Sequence, residues 1–313
     1  MPAFPKPKFV FNFDLNEQLD LLKKHKSKRN IPDITDSELL IASWNIANLG
    51  LQKRWEEHYL LLAEIIEWFD IIAVQEVNNK LEGLRALESS LPSHYSLIFS
   101  DRAGNNERSV FIYDSRKVKQ LELVGEVGIP PNQHRFIKIK GFTEKFTGFD
   151  RNPYLCSFEF NNQTLVILTV HSFFGSNKQN HLERRALEAF AIGRYADLRN
   201  KSKHSFSKNI IALGDFNIPK VDKGDIVYSA LIKRGLLLPE HSAKVYSNIS
   251  DDKMYDQIAF LPSIKSKIQI QGVFDFDNAL FPTLWEQESK KNFKAYLRYY
   301  ISDHRPLWMQ LKF

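Results

Sequence analysis

The sequence predicts an α/β (α+β) domain over residues 40–313, with strands alternating with helices and turns. Three features carry this expectation. Short apolar runs such as Leu40-Ile41-Ala42-Ser43-Trp44, Ile71-Ile72-Ala73-Val74 and Ile210-Ile211-Ala212-Leu213 have the length of buried strands. Longer segments at 53–69 and 181–199 place apolar residues at helical spacing with charges between them. The 313 residues are 43% hydrophobic and 26% charged, a balance that fits a folded chain with a sizeable core and not a disordered one.

Residues 1–39 stand apart as an N-terminal extension, with a short amphipathic helix expected around 15–24. The run Lys23-Lys24-His25-Lys26-Ser27-Lys28-Arg29 reads as a solvated helix end, with an arm touching nucleic acid as the alternative. Strands are then expected at 40–44 and 71–75 around a helix at 53–69, followed by a helix at 81–91 that Pro92 closes. Strands dominate next, at 95–99, 109–113, 154–160 and 164–169. A long helix should cover 181–199, because Leu182, Ala186, Ala189, Phe190, Gly193 and Ala196 recur on one face. A strand at 209–214, a short helix at 229–234, a strand at 256–260, a partly helical 284–296 and a strand at 307–311 complete the domain. The stretch 133–145 reads as a hairpin facing a substrate. Residues 290–300 read as an amphipathic helix with its aromatics in the core, although bases interleaved with aromatics also suit a groove along a phosphate backbone. No internal repeat and no linker divides residues 40–313.

Lys and Arg total 43 against 37 Asp and Glu, a formal net charge of +6. Such a chain is drawn to polyanions, whether nucleic acid, anionic lipid or phosphorylated metabolites, and charge alone does not choose among them. Cys156 is the single cysteine, so no intrachain disulfide forms. Pro2, Pro5 and Pro7 stand where a secretory signal would carry an apolar helix, and no apolar run is long enough to span a membrane. A soluble, cytoplasmic protein is the expectation.

Several apolar runs begin or end in a residue that a core would not accept. Residues 40–44 run into Asn45, 71–74 into Gln75-Glu76, 166–170 into His171, and 210–214 into Asp215 with Asn217 close behind. Asp256 precedes Gln257-Ile258-Ala259-Phe260, and Asp303-His304 precedes Arg305-Pro306-Leu307. Singly, each has a plain explanation: a turn asparagine, a capping aspartate, a satisfied buried histidine, or an Asp303–Arg305 pair. Unrelated capping needs would not put acid, amide and imidazole groups at so many strand ends, so the runs are expected to aim them at one site. Hard oxygen ligands without a cysteine cluster suit magnesium, manganese or calcium better than structural zinc.

Taken in order, Ile41-Ala42-Ser43-Trp44-Asn45-Ile46, Val74-Gln75-Glu76-Val77, Glu107-Arg108-Ser109-Val110-Phe111, His171-Ser172, Gly214-Asp215-Phe216-Asn217, Tyr255-Asp256-Gln257-Ile258 and Ser302-Asp303-His304-Arg305-Pro306 form a set. This set resembles the endonuclease/exonuclease/phosphatase superfamily and, within it, deoxyribonuclease I, over essentially all of residues 40–313. The resemblance implies a four-layer αββα sandwich of two mixed β-sheets flanked by helices, with one catalytic cleft at the sheet edge. It implies that Glu76 binds the divalent ion, Mg2+ or Mn2+ with Ca2+ possible, helped by Asn45 and Asp303. Asp215 and Asn217 would lie against the scissile phosphate. The histidine–carboxylate pairs His171 with Glu107 and His304 with Asp256 would move protons, since hydrolysis must deprotonate a water and protonate a leaving alkoxide. Arg151 matches an arginine that touches DNA phosphate, against a surface salt bridge as the other reading.

The implied activity is a metal-dependent endonuclease cleaving DNA with little sequence preference. RNA cleavage, a phosphatase or phosphodiesterase acting on inositol phosphates or phospholipid head groups, and an inactive nucleic-acid-binding module are the alternatives. His171-Ser172 tilts the chain toward deoxyribonuclease I, and Lys253-Met254-Tyr255-Asp256 departs from the Trp-Cys-Asp-Arg pattern of the inositol phosphatases. The cysteines that brace the secreted enzyme are missing. No protein partner is predictable from the sequence.

Overall fold

The computed structural model describes residues 3–240 and 244–313. The first half of the chain supplies α1 (Leu15–Lys28), β1 (Leu39–Leu49), α2 (Glu56–Ile66), β2 (Ile71–Asn78), α3 (Glu82–Ser90), β3 (Tyr95–Phe99), β4 (Glu107–Asp114) and β5 (Lys119–Glu126). Then come β6 (Tyr154–Phe160), β7 (Gln163–His171), α4 (Gln179–Lys201), β8 (Asn209–Asp215), α5 (Ile226–Ile232) and β9 (Asp256–Phe260). The chain closes with α6 (Pro262–Lys265), β10 (Ile268–Val273), α7 (Pro282–Gln287), α8 (Lys290–Tyr300) and β11 (Leu307–Leu311).

Two mixed sheets form, one in the order β10-β11-β1-β2-β4-β3 and the other β5-β6-β7-β8-β9. Three buried apolar clusters separate four layers. One lies between the first sheet and α1, α2, α3, α7 and α8, and one between the second sheet and α4 and α5. The third, with Ile41, Ala73, Phe111, Ile167, Ile211 and Ile258, lies between the sheets. The central strands are therefore apolar on both faces, which is why they read as continuous runs and do not alternate.

Side chains two residues apart on a strand share a face, so parity decides which residues enter the inter-sheet layer. Leu39 and Ile41 face inward, and so do Ser43 and Asn45 further along β1. The same rule carries β7 from Leu165 and Ile167 to Thr169 and His171, β8 from Ile211 and Leu213 to Asp215, and β4 from Phe111 back to Glu107. In β9 it links Ile258 and Phe260 to Asp256. Register finishes the alignment, pairing His171 with Asp215 and Asp215 with Asp256 across the second sheet. The inter-sheet layer is thus apolar along most of its length and polar at one end.

Two edge strands, β5 and β10, have no counterpart among the expected elements. Both are largely exposed or half-exposed, so they lack the apolar run that marks the others. The expected hairpin at 133–145 is instead a 3-10 turn, Pro131–Phe136, followed by irregular chain. Ile137 and Phe146 pin it to the core under α4, and Glu183 accepts the backbone N–H groups of Thr143 and Glu144, so no strand partner is needed. Helix α2 starts later than residue 53 because Gln52 and Arg54 are buried and bonded to the carbonyls of Tyr299, Tyr300 and Ala47. Helix α5 starts earlier than 229, where Asp225 caps the N–H groups of Val227 and Tyr228.

The charge run after residue 22 is divided. Lys23, Lys24 and Lys28 are exposed, but His25 is buried with its Nε2 2.8 Å from Asp275 Oδ1, and Arg29 bonds both oxygens of the same carboxylate. Gln18 accepts the N–H of Phe281 at 2.7 Å. Residues 290–300 are an amphipathic helix whose Phe293, Tyr296, Leu297, Tyr299 and Tyr300 are buried, as expected. No helix among the described residues is long and apolar enough to cross a membrane.

Candidate active site

Asp215 stands at the middle of the polar end. Its Oδ1 accepts the N–H of Asn217 at 2.8 Å, and its Oδ2 accepts from Asn45 Nδ2 at 3.2 Å. The Nε2 atoms of His171 and His304 lie 3.8 and 3.9 Å from that same Oδ2. Behind each imidazole is a buried carboxylate: Glu107 Oε2 is 2.9 Å from His171 Nδ1, and Asp256 Oδ2 is 2.7 Å from His304 Nδ1. A carboxylate at Nδ1 fixes the tautomer and aims Nε2 forward.

Gly214 makes this register reachable. Its φ is +134°, and a Cβ there would stand 2.1 Å from the carbonyl oxygen of Val170, so only glycine lets β8 lie this close to β7. Asn217 also takes a positive φ of 53°, which asparagine tolerates, and its Nδ2 donates to Ser172 O at 2.8 Å.

Glu76 has the wrong parity for the inter-sheet layer, because Gln75 occupies that face and bonds Thr169 Oγ1 of the opposite sheet at 2.9 Å. A register shift between Val74 and Val77, with Glu76 at φ 62°, turns it into the site. There Oε1 accepts from Asn45 Nδ2 at 3.0 Å and Oε2 accepts the N–H of Asn48 at 2.9 Å. Asn45 thus spends one amide hydrogen on Glu76 and one on Asp215, and its Oδ1 is buried with no hydrogen-bond partner among the described residues. With the amide turned over about its Cβ–Cγ bond, that oxygen would stand beside the Glu76 carboxylate, a donor set suited to a hard divalent cation. Asp215, Asp256 and His304 also bring possible ligand atoms within 4.8 Å of one another, but Asp256 and His304 already bind each other. Oxygen donors thus lie on both sides of Asp215, at Asn45 and Glu76 and at Asp256.

Asp303 lines the same cleft from its rim, where its carboxylate is 3.1 Å from Arg298 Nε and not from Arg305, which pairs with Asp251 and Asp277. Arg151 is 8% exposed and ion-paired, its Nη1 donating to Asp150 Oδ2 at 2.5 Å, so the salt bridge is present but buried on the arginine side. The Arg151 Nε donates to His171 O at 3.1 Å and lies 3.5 Å from Glu107, so it braces the first histidine pair from behind.

Electrostatics follow burial. Burial pushes the Glu76 carboxyl above its ordinary value, against the pull of His171. Burial acts the same way on Glu107, but the His171 imidazole and the Arg151 guanidinium override it and hold the group at about 2. For His304, burial disfavours the charged ring, yet Asp256, Asp215 and Asp303 together hold its pKa well above the ordinary value.

The strand-end signal named eight of these residues, Glu107 and Arg151 came only from the resemblance, and neither route pointed to the supports. Ser302 Oγ donates to Asn45 O at 2.6 Å and accepts the N–H of His304 at 3.0 Å, and Trp44 Nε1 donates to His304 O at 2.8 Å. Nothing in a serine or tryptophan code marks such a role. Around the floor runs a cleft of about 420 Å3 with the rings of Phe4, Phe173, Phe174 and Tyr255 on its lining.

No protein-family model matches the sequence, and no curated protein matches it. Solved structures do. The mannosyl-6-phosphatase of Bacteroides thetaiotaomicron superposes with a TM-score of 0.61 at 19% identity, over 88% of this chain and 100% of that one. An endonuclease/exonuclease/phosphatase family protein from the same organism gives 0.60 at 19% identity, over 88% and 95%. The D. rerio TDP2 complexed with single strand DNA product gives 0.57 at 16% identity, over 89% and 100%. With its two packed mixed sheets and flanking helices, this chain has the endonuclease/exonuclease/phosphatase fold.

Proposed function

We propose that this chain is a divalent-metal-dependent phosphodiesterase that cleaves DNA, its site built like that of deoxyribonuclease I. One observation carries the reading: two imidazoles, each held at Nδ1 by a buried carboxylate, point their Nε2 atoms at one Asp215 oxygen from 3.8 and 3.9 Å. In-line displacement at phosphorus needs a base for the entering water and an acid for the departing oxygen, on opposite sides of the phosphoryl group. The pairs His171–Glu107 and His304–Asp256 fill these roles. Asp215 orients the water between them, and Asn217, which has one amide hydrogen left after bonding Ser172, donates to a phosphoryl oxygen.

Glu76 and Asn45 would hold the divalent ion, with Asp303 at its edge, and the ion would neutralise charge that develops on the phosphoryl oxygens. The net charge of +6 and the single-stranded DNA in the TDP2 complex support a nucleic-acid substrate. A second reading, a phosphatase acting on a small phosphate ester, is favoured by the likeness to a mannosyl-6-phosphatase and by a cleft of about 420 Å3.

Supercoiled plasmid and labelled single-stranded DNA, each incubated with Mg2+, Mn2+ or EDTA, test the proposal. Metal-dependent cleavage should fall roughly 10^2- to 10^4-fold in His304→Ala and in His171→Ala. Near-normal cleavage by both variants would sink the assignment. Inactivity of the wild type on DNA together with turnover of RNA, inositol phosphates, phospholipid head groups or sugar phosphates would move the substrate and keep the chemistry.

A further inference from the structure

Residues 9–13, ahead of α1, carry an aromatic ring at every second position. Phe9 stacks on Tyr296 with centroids 6.1 Å apart, Phe11 meets Phe281 and Tyr296 edge-on at 5.9 and 5.6 Å, and Phe13 tilts onto Phe281 at 4.9 Å. Val10, between them, is 78% exposed. Period-two anchoring of this kind fixes a strap to the surface of a domain.

The strap leads to the cleft. Phe4 N donates to Gln52 Oε1 at 3.0 Å, and Gln52 is itself buried, its amide nitrogen spent on the carbonyls of Ala47 and Tyr299. Phe4 is thereby placed under the Arg298 guanidinium, 4.7 Å from the ring centroid, and Arg298 reaches on to Asp303 at 3.1 Å. The half-buried ring of Phe4 lines the same cleft as His171, Asp215 and His304.

We propose that residues 3–13 are a structural part of the catalytic cleft, and that Phe4 is a specificity-determining residue that packs against the base flanking the scissile phosphate. This rests on the phosphodiester reading above. One side of the ring is covered by a cation, part of it packs against the core of the first sheet, and part lines a cavity whose floor is polar and whose lining is aromatic. A phosphate on the histidines leaves its neighbouring group against that lining. A nucleobase has the flat apolar face that a ring wall recognises without reading sequence.

The test compares full-length wild type, Phe4→Ala and Phe4→Trp on fluorescent oligothymidine and on an abasic oligomer of equal length. Anisotropy in EDTA gives the ratio of the two affinities, and cleavage with Mg2+ gives KM and kcat separately. Phe4→Ala should reduce the preference for oligothymidine about tenfold, through KM, and Phe4→Trp should restore it. A preference unchanged in Phe4→Ala overturns the proposal. Equal weakening on both oligomers overturns it too, since Phe4 would then only brace Arg298, and so does a wild type without any preference. Absence of cleavage by the wild type defeats the hydrolytic reading alone, because the binding ratio still decides the role of Phe4.

Discussion

Replacing Glu188 with glutamine should flatten the pH dependence of folding. Glu188 lies in α4, 1% exposed, and each of its carboxylate oxygens accepts one backbone N–H, that of Asp150 at 3.1 Å and that of Phe173 at 3.0 Å. Burial is the largest influence and raises the carboxyl from 4.5 to about 7, against the pull of those two donors. Arg184 is 3.8 Å away and 39% exposed, so it compensates little. A raised pKa in the folded protein means that folding binds the proton more tightly than the unfolded chain does. Stability from this group is therefore full below pH 4.5, falls as the unfolded chain ionises first, and is lost as pH rises through about 7. The 2.5-unit difference between 4.5 and about 7, at about 1.4 kcal/mol per unit, makes the loss roughly 3 kcal/mol.

Glutamine cannot ionise. It keeps one acceptor and sets an N–H against the second donor, a cost of about 1–3 kcal/mol that is the same at every pH. Urea unfolding of both proteins from about pH 4 to about pH 8, with the curves subtracted, cancels every other titrating group. The variant should gain about 3 kcal/mol relative to wild type from the acid to the alkaline end. Parallel curves would refute the argument, because Glu188 would then titrate alike in both states. The two bonds also tie Asp150, next to Arg151, to Phe173, two residues past His171, so the same substitution should loosen the support of the first histidine pair.

Three other perturbations separate architecture from chemistry. Gly214→Ala puts a Cβ 2.1 Å from the Val170 carbonyl oxygen at a φ of +134°, and should cost upwards of about 3 kcal/mol in urea unfolding through forced separation of β7 and β8. Asp275→Ala removes the carboxylate shared by His25 and Arg29; with Arg29 41% exposed, the loss should be nearer to about 2 kcal/mol than to that of a fully buried pair, read as a lower thermal midpoint. Glu76→Ala orphans the buried N–H of Asn48 and one amide hydrogen of Asn45, so it should cost about 1–3 kcal/mol in urea unfolding and raise the metal concentration needed for half-maximal cleavage roughly tenfold or more, as measured by magnesium titration.

The candidate site was legible because side-chain parity is written into the strands. Ile167 to Thr169 to His171, and Ile211 to Leu213 to Asp215, count in twos from the core to the cleft, and an apolar run that ends in such a residue reports its own direction. Strands without that contrast did not report themselves: β5 and β10 sit on sheet edges with little buried surface. Glu76 was found as the polar end of an apolar run, but its aim into the site depends on a bulge that no periodicity encodes. Phe4 lay further out of reach. Its contact with Arg298 spans almost the whole chain, and neither residue carries a local signal that joins them.

Burying so many ionisable groups at one edge is tenable only because each has its counter-group already in place. Gln75, between Ser43 and Thr169, closes the apolar layer with a hydrogen-bonded bridge from sheet to sheet, so the core ends against polar atoms that need no water. Beyond that bridge, His171 has Glu107, His304 has Asp256, and Asn45 ties Glu76 to Asp215. Among the described residues, Asn45 Oδ1, Asn48 Nδ2, Ser172 Oγ and Asp256 Oδ1 are buried without a hydrogen-bond partner, so the pattern is broken inside the site. A buried amide oxygen without a donor costs about 1–3 kcal/mol, a cost that a bound cation would offset under the proposed function. The strain at Glu76 fits the proposed function: a glutamate held at φ 62° is unfavourable by about 1–3 kcal/mol, a cost that would be offset if its carboxylate took up a cation there.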